Sequence, residues 1–512
     1  MANEVELKLS LPIEAQRRFL RHPALGKAVA RHTQQLVNLY YDTPALTLHR
    51  RGIALRLRKQ GRNWLQTVKC ADASACGLSS RPEWETPYTG RFDFSAVDAE
   101  PVRQWLERPN LRSAITPLFE TNFRRTTWRF EPRPGCVLLL MLDRGWIAAG
   151  GKREAISELE IELACAAHPE SIDELFKLAH NLGTHLPLLP ALRSKAERGY
   201  RIYLGTPLTP QKAATVPLQA DAAPLDAFRR IMLECLAHLQ GNHEGALHGK
   251  DAEFVHQMRV ATRRLRAALR VFAPHLPEAF TAQLLPPLQQ LMALLGRVRD
   301  LDVLLAEIAA PVTHALPDEP RLAALSGAIT DRQGRAREAA VRHLQSIAHA
   351  RFLLLATAVL HQPPFVGNGD AGTPQTAVET LADFAAARLK RLRRKVREHA
   401  ALASADDPAS LHRLRIAVKR LRYALEFFAP LAAAKPTQRM LRQLGRLQDD
   451  LGQLNDLANA GLLLMQCAGS DARLREAVAL IGGWHAARYG DLLAGLPKQL
   501  KRLDALKQPG IG

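Results

Sequence analysis

A 20-residue segment occurs twice in this chain, and no other feature restricts its possible folds as much. Residues 255–274 (VHQMRVATRRLRAALRVFAP) and 411–430 (LHRLRIAVKRLRYALEFFAP) are identical at 11 of 20 positions. The same 156-residue offset, without a gap, pairs Leu225 and Phe228 with Leu381 and Phe384, and His243 with His399. It also pairs Leu295-Gly296 with Leu451-Gly452 and Asp300-Leu301 with Asp456-Leu457. A register held this long predicts duplicated helical units packed about a pseudo-twofold axis.

In the first copy Val255, Met258, Thr262, Leu265, Leu269 and Phe272 advance in steps of three and four, the core stripe of a helix. Leu411, Leu414, Val418, Leu421, Leu425 and Phe428 repeat it. Another face carries His256, Arg259, Arg263 and Arg266, answered by His412, Arg415, Lys419 and Arg422, with Arg264 and Arg420 extending it. A further basic run, Arg388 to Arg397, precedes the second copy. Two cations ~6 Å apart repel by roughly 3 kcal/mol at an effective dielectric of ~20, against about 0.7 kcal/mol in bulk water. A basic stripe therefore costs little when solvated. If the two copies face each other, an anion must fill the gap.

Before residue 205 the period changes from helical to alternating. The segment 205–224, rich in Pro, Ala and Thr, has the composition of a linker. In Asn3–Leu9, Glu4, Glu6 and Lys8 share one face of a strand, with Val5, Leu7 and Leu9 on the other. Val37–Asp42 and Ile53–Lys59 also read as strands, the latter with Arg56 and Arg58 on one face. Trp64–Lys69 then returns after a Gly61-Arg-Asn turn. Glu83-Trp84-Glu85, Phe123–Phe130 with Arg125, Val137–Asp143 ending at Gly145, and Glu158-Leu-Glu160-Ile-Glu162-Leu complete the set. Ile13–Leu20 and Ile172–Leu182 are expected as helices.

Charged strand faces can meet water as dull ion pairs. A closed, tunnel-like sheet would instead gather them in one cavity, where they need a partner. Grouped carboxylates raise one another's pKa unless a cation sits among them, and oxygen ligands without His or Cys suit Mg²⁺ or Mn²⁺. Arg56, Arg58, Lys69 and Arg125 would grip phosphate oxygens bridged by that metal. This is the layout of metal-assisted phosphoryl chemistry.

The ordered set Glu4-x-Glu6-x-Lys8, Arg56-x-Arg58, Lys69, Glu83-x-Glu85, Arg125, Asp143, Glu158-x-Glu160-x-Glu162 and Ser194-Lys195-Ala-Glu-Arg198 resembles the CYTH family of triphosphate tunnel metalloenzymes over about residues 1–205. The resemblance implies an eight-stranded antiparallel tunnel with flanking helices that hydrolyses or cyclises triphosphates with a divalent metal. Glu4, Glu6, Glu160 and Glu162 would hold metal and water. Lys8, Arg56, Arg58, Lys69, Arg125 and Lys195, with Arg198, would bind triphosphate. Glu83, Glu85, Asp143 and Glu158 are further tunnel candidates, and Lys8 is a candidate general base.

The motif His256-x-x-Arg259-x-x-x-Arg263-Arg264-x-Arg266, its second copy and Gly296-x-x-Arg299-Asp300-x-Asp302 resemble the CHAD domain over about residues 221–512. This implies a helical bundle whose basic residues, His256, Arg259, Arg263, Arg264, Arg266, His412, Arg415, Lys419, Arg420 and Arg422, bind inorganic polyphosphate. Because the second copy reads Asn455-Asp456-Leu457-Ala458, Asp300 and Asp456 are expected to partner arginines rather than a metal. The expected organisation is a CYTH domain over 1–205, a linker over 206–220 and a CHAD domain over 221–512, with repeat halves near 225–305 and 381–461.

Inorganic triphosphate is the plainest substrate, since no nucleobase pocket is evident, although Trp64 and Trp84 leave ATP or thiamine triphosphate open. A non-catalytic polyphosphate-binding or targeting protein is the rival. A net charge of +20 points to polyanions; nucleic acid is disfavoured because the helical stripes lack interleaved aromatics. Six cysteines without CxxC spacing, an N-terminus charged from residue 4 and no apolar run near ~18 residues predict a cytoplasmic protein with no membrane span.

Overall fold

Strand β1 (Glu4–Ser10) is where the N-terminal sheet meets itself. One edge pairs with β9 (Lys152–Ala166); the other pairs with β5 (Leu78–Arg81) and the two-residue β10 (Leu189–Pro190), all antiparallel. From β9 the sheet runs through β8 (Cys136–Ala149), β7 (Thr116–Arg133), β2 (Ala30–Asp42), β3 (Ile53–Gln60) and β4 (Asn63–Cys70) to β6 (Glu83–Pro87). Only Pro82 separates β5 from β6, so one bent stretch pairs first with β1 and then with β4. Proline has no N–H to give a ladder, and it sits where the partner changes. The sheet thereby closes. Counted with this stretch as one and without the two-residue β10, eight antiparallel strands surround a tunnel, as expected.

This computed structural model describes residues 4–70, 76–166, 171–249, 251–361, 379–404, 407–507 and 509–511. It divides into a unit of Met1–Thr209 with Gln345–Gln362 and a unit of Pro210–Leu344 with Pro363–Gly512.

In the first unit, alternation turns the barrel inside out. Leu7, Leu9, Leu140, Leu159 and Ile161 point outward into an apolar core with Phe176 and Leu182 of helix α1 (Ser171–Gly183). Leu55 and Val68 do the same with Phe94 and Trp105. Charged residues are left on the inner face. Helix Ile347–His361 joins this unit, with Leu354 and Ala358 buried in the α1 core. The sequence reading had placed that segment with the helical domain. Strand β8 runs past Gly145, read as its end: a Cβ there would lie 2.1 Å from the Asn122 carbonyl oxygen, so the glycine serves close strand approach. The helix expected over Ile13–Leu20 is a 3₁₀ turn, Ile13–Ala15, followed by one α-turn, Gln16–Phe19.

In the second unit the duplication is explicit. Helices α3 (Pro224–Gly241), α4 (Glu253–Val271) and α5 (Glu278–Val303) match α6 (Leu381–Ala401), α7 (Pro408–Phe428) and α8 (Ala434–Ala468) at the 156-residue offset; α2 (Lys195–Leu204) belongs to the first unit. Phe272 and its repeat mate Phe428 meet with ring centroids 5.8 Å apart, flanked by Phe228 on Phe272 and by Phe384 on both. The pseudo-twofold passes between the two mates. Among the described residues no single helix is long and apolar enough to cross a membrane.

Candidate active site

Strand register sets the charges of the tunnel opposite one another. Glu6 pairs with Glu162 and Lys8 with Glu160 across β1 and β9. Arg56 lies opposite Tyr40, Arg58 opposite Asn38, and Lys69 opposite Glu83. Arg125 lies opposite Asp143, which in turn lies opposite Glu158. A cavity of about 270 Å³ results, lined by Glu6, Lys8, Arg56, Arg58, Lys69, Glu83, Glu85, Arg125, Glu160, Glu162 and Lys195. Glu4 lies in β1, but its side chain is outside the described residues.

Most cations here already hold an acid. Arg125 donates to both oxygens of Asp143, at 2.8 and 2.7 Å, and also to Glu160. The Lys195 ammonium stands 2.7 Å from Asp143 and 2.9 Å from Glu160, and pairs with Glu158. Arg56 and Lys69 share Glu83, the former at 3.2 Å. Arg58 donates to Asn38 at 3.1 Å and lies 3.6 Å from Glu85. Lys8 pairs with Glu6, to which Ser79 donates at 3.1 Å. Arg198 turns behind the tunnel to Glu154 and Glu158, at 2.6 and 3.0 Å, and Asp143 and Glu158 back the wall without lining the cavity.

These pairings decide the protonation states. Burial alone would raise the Glu160 pKa, but Lys195, Arg125 and Lys8 hold its carboxyl well below the usual range. Burial likewise opposes the Lys195 charge, yet Asp143, Glu158 and Glu160 hold it above the ordinary lysine range. Burial, together with Arg56, brings the Arg58 guanidinium down to about 10. Glu162 is the exception among the acids. It makes no hydrogen bond or ion pair among the described residues, and burial, Glu6 and Glu160 push its pKa up.

That contrast tests the tunnel's fit to a metal. Asp143, Glu158 and Glu160 bring oxygens within 4.8 Å of one another, but Lys195, Arg125 and Arg198 together already balance their charge. Glu162, with Glu6 and Glu160 beside it, presents hard oxygens whose mutual repulsion a divalent cation would relieve. The residues present fit such an ion.

Sequence reasoning missed several contributors. Tyr40 and Phe123 line the cavity, Asn38 and Thr67 orient Arg58 and Glu85, and Asp42 receives the Tyr200 hydroxyl at 3.0 Å. Asn38 and Tyr40 stand two apart on β2 and carry the same alternating signal as the arginines. The helical nature of Lys195–Leu204 was also legible: Ser194 and Glu197 form a capping box. This cap sets Ser194, Lys195 and Ala196 over the cavity.

In the second unit the two basic faces come together. Lys419 is brought down to about 6 by burial and by Arg415, Arg263 and Arg259, two of them from the other copy. Burial, with Arg263 and Arg415, lowers Arg259, and burial lowers His256. Arg259 reaches Asp300 at 3.5 Å, and His412 contacts Asn455 at 3.0 Å. Arg263, Arg266, Lys419 and Arg420 line a cavity of about 430 Å³, whereas Arg422 pairs with Glu426 at 2.9 Å and Arg264 is buried in ion pairs. Buried Nε groups of Arg263, Arg266 and Arg415 find no acceptor.

Residues 2–200 match the CYTH domain family, and residues 230–464 match the CHAD domain family. Over 200 residues, 39% of this chain, the sequence is 28% identical to an inorganic triphosphatase from Haemophilus influenzae, and the match spans 55% of that relative's length. Among solved structures, the CHAD domain of the plant Ricinus communis is 34% identical with a TM-score of 0.51, covering 59% of this chain and 99% of that one. A Hippeastrum protein described as having a dominant triphosphatase activity is 21% identical with a TM-score of 0.29, covering 40% and 98%.

Proposed function

From a chain that belongs to the CYTH family in its first part and the CHAD family in its second, we infer a metal-dependent triphosphatase joined to a polyphosphate-binding helical domain. The observation that carries the reading is the tunnel cavity, in which six cations face a carboxylate group with one acid, Glu162, left unpartnered. The Haemophilus influenzae relative, an inorganic triphosphatase, supports the substrate class.

In this reading Arg56, Arg58 and Lys69 bind the phosphates from one wall, and Lys8, Arg125 and Lys195 from the other. Each is pre-positioned by an acid of the tunnel wall, so little reorganisation accompanies binding. Glu6, Glu160 and Glu162, with Glu4, would hold Mg²⁺ or Mn²⁺, which supplies charge neutralisation and an activated water when bound. Glu162 must be ionised to serve, and burial beside Glu6 and Glu160 opposes this. Metal binding therefore weakens as pH falls towards its raised pKa. Lys8, held by Glu6, is poised to stabilise charge on the phosphates.

The cavity, below the roughly 300 Å³ at which drug-sized sites begin, suits a bare phosphate chain. A neighbouring cavity of about 250 Å³ shares Lys8, Lys69 and Ser194 and is lined by His49 and Tyr200. Comparing kcat/KM for tripolyphosphate, ATP and thiamine triphosphate decides the substrate. Preference for tripolyphosphate supports the reading; preference for either organic triphosphate assigns that neighbouring space to an organic group. The basic faces of the second unit, buried yet short of acids, support polyphosphate as their ligand. Six free thiols are consistent with a cytoplasmic site of action.

A further inference from the structure

The two copies of the helical repeat conserve their shared arginines but not the surroundings of those arginines. Arg264 and Arg420 are repeat mates, yet Arg264 is 8% exposed whereas Arg420 is exposed. Arg264 is held at 3.2 Å by Glu234 and at 3.4 Å by Glu426, and it lies over the Phe427 ring. At the offset positions of those two acids the other side carries Lys390 and Arg270. Neighbouring positions on the same helices diverge in the same sense. Met232, Cys235 and Leu239 of α3 are buried apolar residues, where α6 has Arg388, Arg391 and Lys395.

One side of the pseudo-twofold is thus filled and neutralised. The other holds the cavity of about 430 Å³ between α4, α6 and α7, into which Arg266, Arg270, Arg388, Arg391, Lys395 and Arg420 converge. Among the described residues no acid lines it, and Tyr423 is its one aromatic residue. Buried Nε donors of Arg266 and Arg388 have no acceptor there. Such a site favours closely spaced oxyanions and offers a single ring, Tyr423, rather than the run of aromatics on which successive bases stack.

We propose that the helical unit binds a single phosphate chain at this α4–α6–α7 face only, the repeat-related face being closed by Arg264 with Glu234 and Glu426. This rests on reading the unit as a polyphosphate binder and adds that its duplicated fold carries one site, not two. Conversion of Arg270 to Glu426 and of Lys390 to Glu234 at equivalent positions is what separates the faces.

The test is calorimetric titration of the full chain with inorganic polyphosphate at fixed salt, because such binding is salt-sensitive. Wild type would be compared with Arg270→Glu and Arg391→Glu, both at exposed positions that do not threaten folding. The expected result is one chain bound per protein and a loss of roughly tenfold or more in affinity for each variant. Two chains per protein, or binding unchanged in both variants, would overturn the single-sided site. Wild type that binds no polyphosphate would instead remove the reading beneath it. Equal affinity for single-stranded RNA, lost in the same variants, would overturn the assignment to a phosphate chain.

Discussion

Two lysines, Lys195 buried and Lys419 half-buried, show how differently the halves of this protein treat charge. Lys195, in the tunnel, sits among Asp143, Glu158 and Glu160 and keeps its proton more firmly than an ordinary lysine. Lys419, in the helical unit, sits among Arg415, Arg263 and Arg259 and is driven down to about 6. Both are removed from water; only the sign of the neighbours differs. In the tunnel each lining cation meets an acid, and one acid, Glu162, makes no hydrogen bond or ion pair among the described residues. The helical face sets cation against cation.

The largest effect should come from breaking the tunnel's internal balance. Lys195→Met would take one cation from three acids at 0–6% exposure, leaving Asp143 and Glu160 to Arg125 and Glu158 to Arg198. Loss of one partner from a buried pair costs about 3–5 kcal/mol, to be read by chemical denaturation near neutral pH. Acid should act in the same direction. The Glu160 pKa is depressed in the fold, so its stabilisation is complete above its unfolded pKa and is lost as pH falls through the folded value.

Glu162→Gln should separate stability from function. Its carboxyl is raised in the fold, so its charge weighs against the metal-free protein, and the amide should melt at the same temperature or slightly higher. Turnover should nevertheless fall by more than the roughly 10–100-fold typical of residues behind a metal's own ligands. A parallel loss of stability and activity would place Glu162 among the tunnel's structural pairs.

Chelation sharpens the comparison at the level of units. Excess chelator should abolish tripolyphosphate turnover while leaving polyphosphate binding unchanged, as followed by titration. The smallest effect belongs to Lys419→Gln. With a folded pKa of about 6 and an unfolded one near ~10.4, stability falls as pH drops between those values, and the fall levels off below about 6 as the folded lysine recharges. The variant should lose that slope, seen as a shallower fall in Tm on moving from pH ~9 towards pH ~6.

Much of this layout was legible from residue spacing. Alternation at Arg56-x-Arg58 and Glu158-x-Glu160-x-Glu162 gave the inner face of the barrel, and the 156-residue offset gave the paired helices. Closure was not legible, because a four-residue strand and a five-residue strand joined by Pro82 carry too little periodicity to announce two different partners. The packing of Ile347–His361, within the CHAD match, was not legible either: Phe352-Leu-Leu-Leu355 declares burial but not in which core. The repeat also hid its own asymmetry. Glu234 and Glu426 look like ordinary helical acids until Arg264 is seen between them.

The most direct measurement is phosphate release from tripolyphosphate by the full chain, with Mg²⁺, with Mn²⁺ and with chelator, beside Glu160→Gln. Metal-dependent release that vanishes with chelator and in the variant is the predicted result. Folded protein that releases no phosphate with either metal, or that releases it equally in chelator, would contradict the assignment of the tunnel as a metal-dependent triphosphatase site.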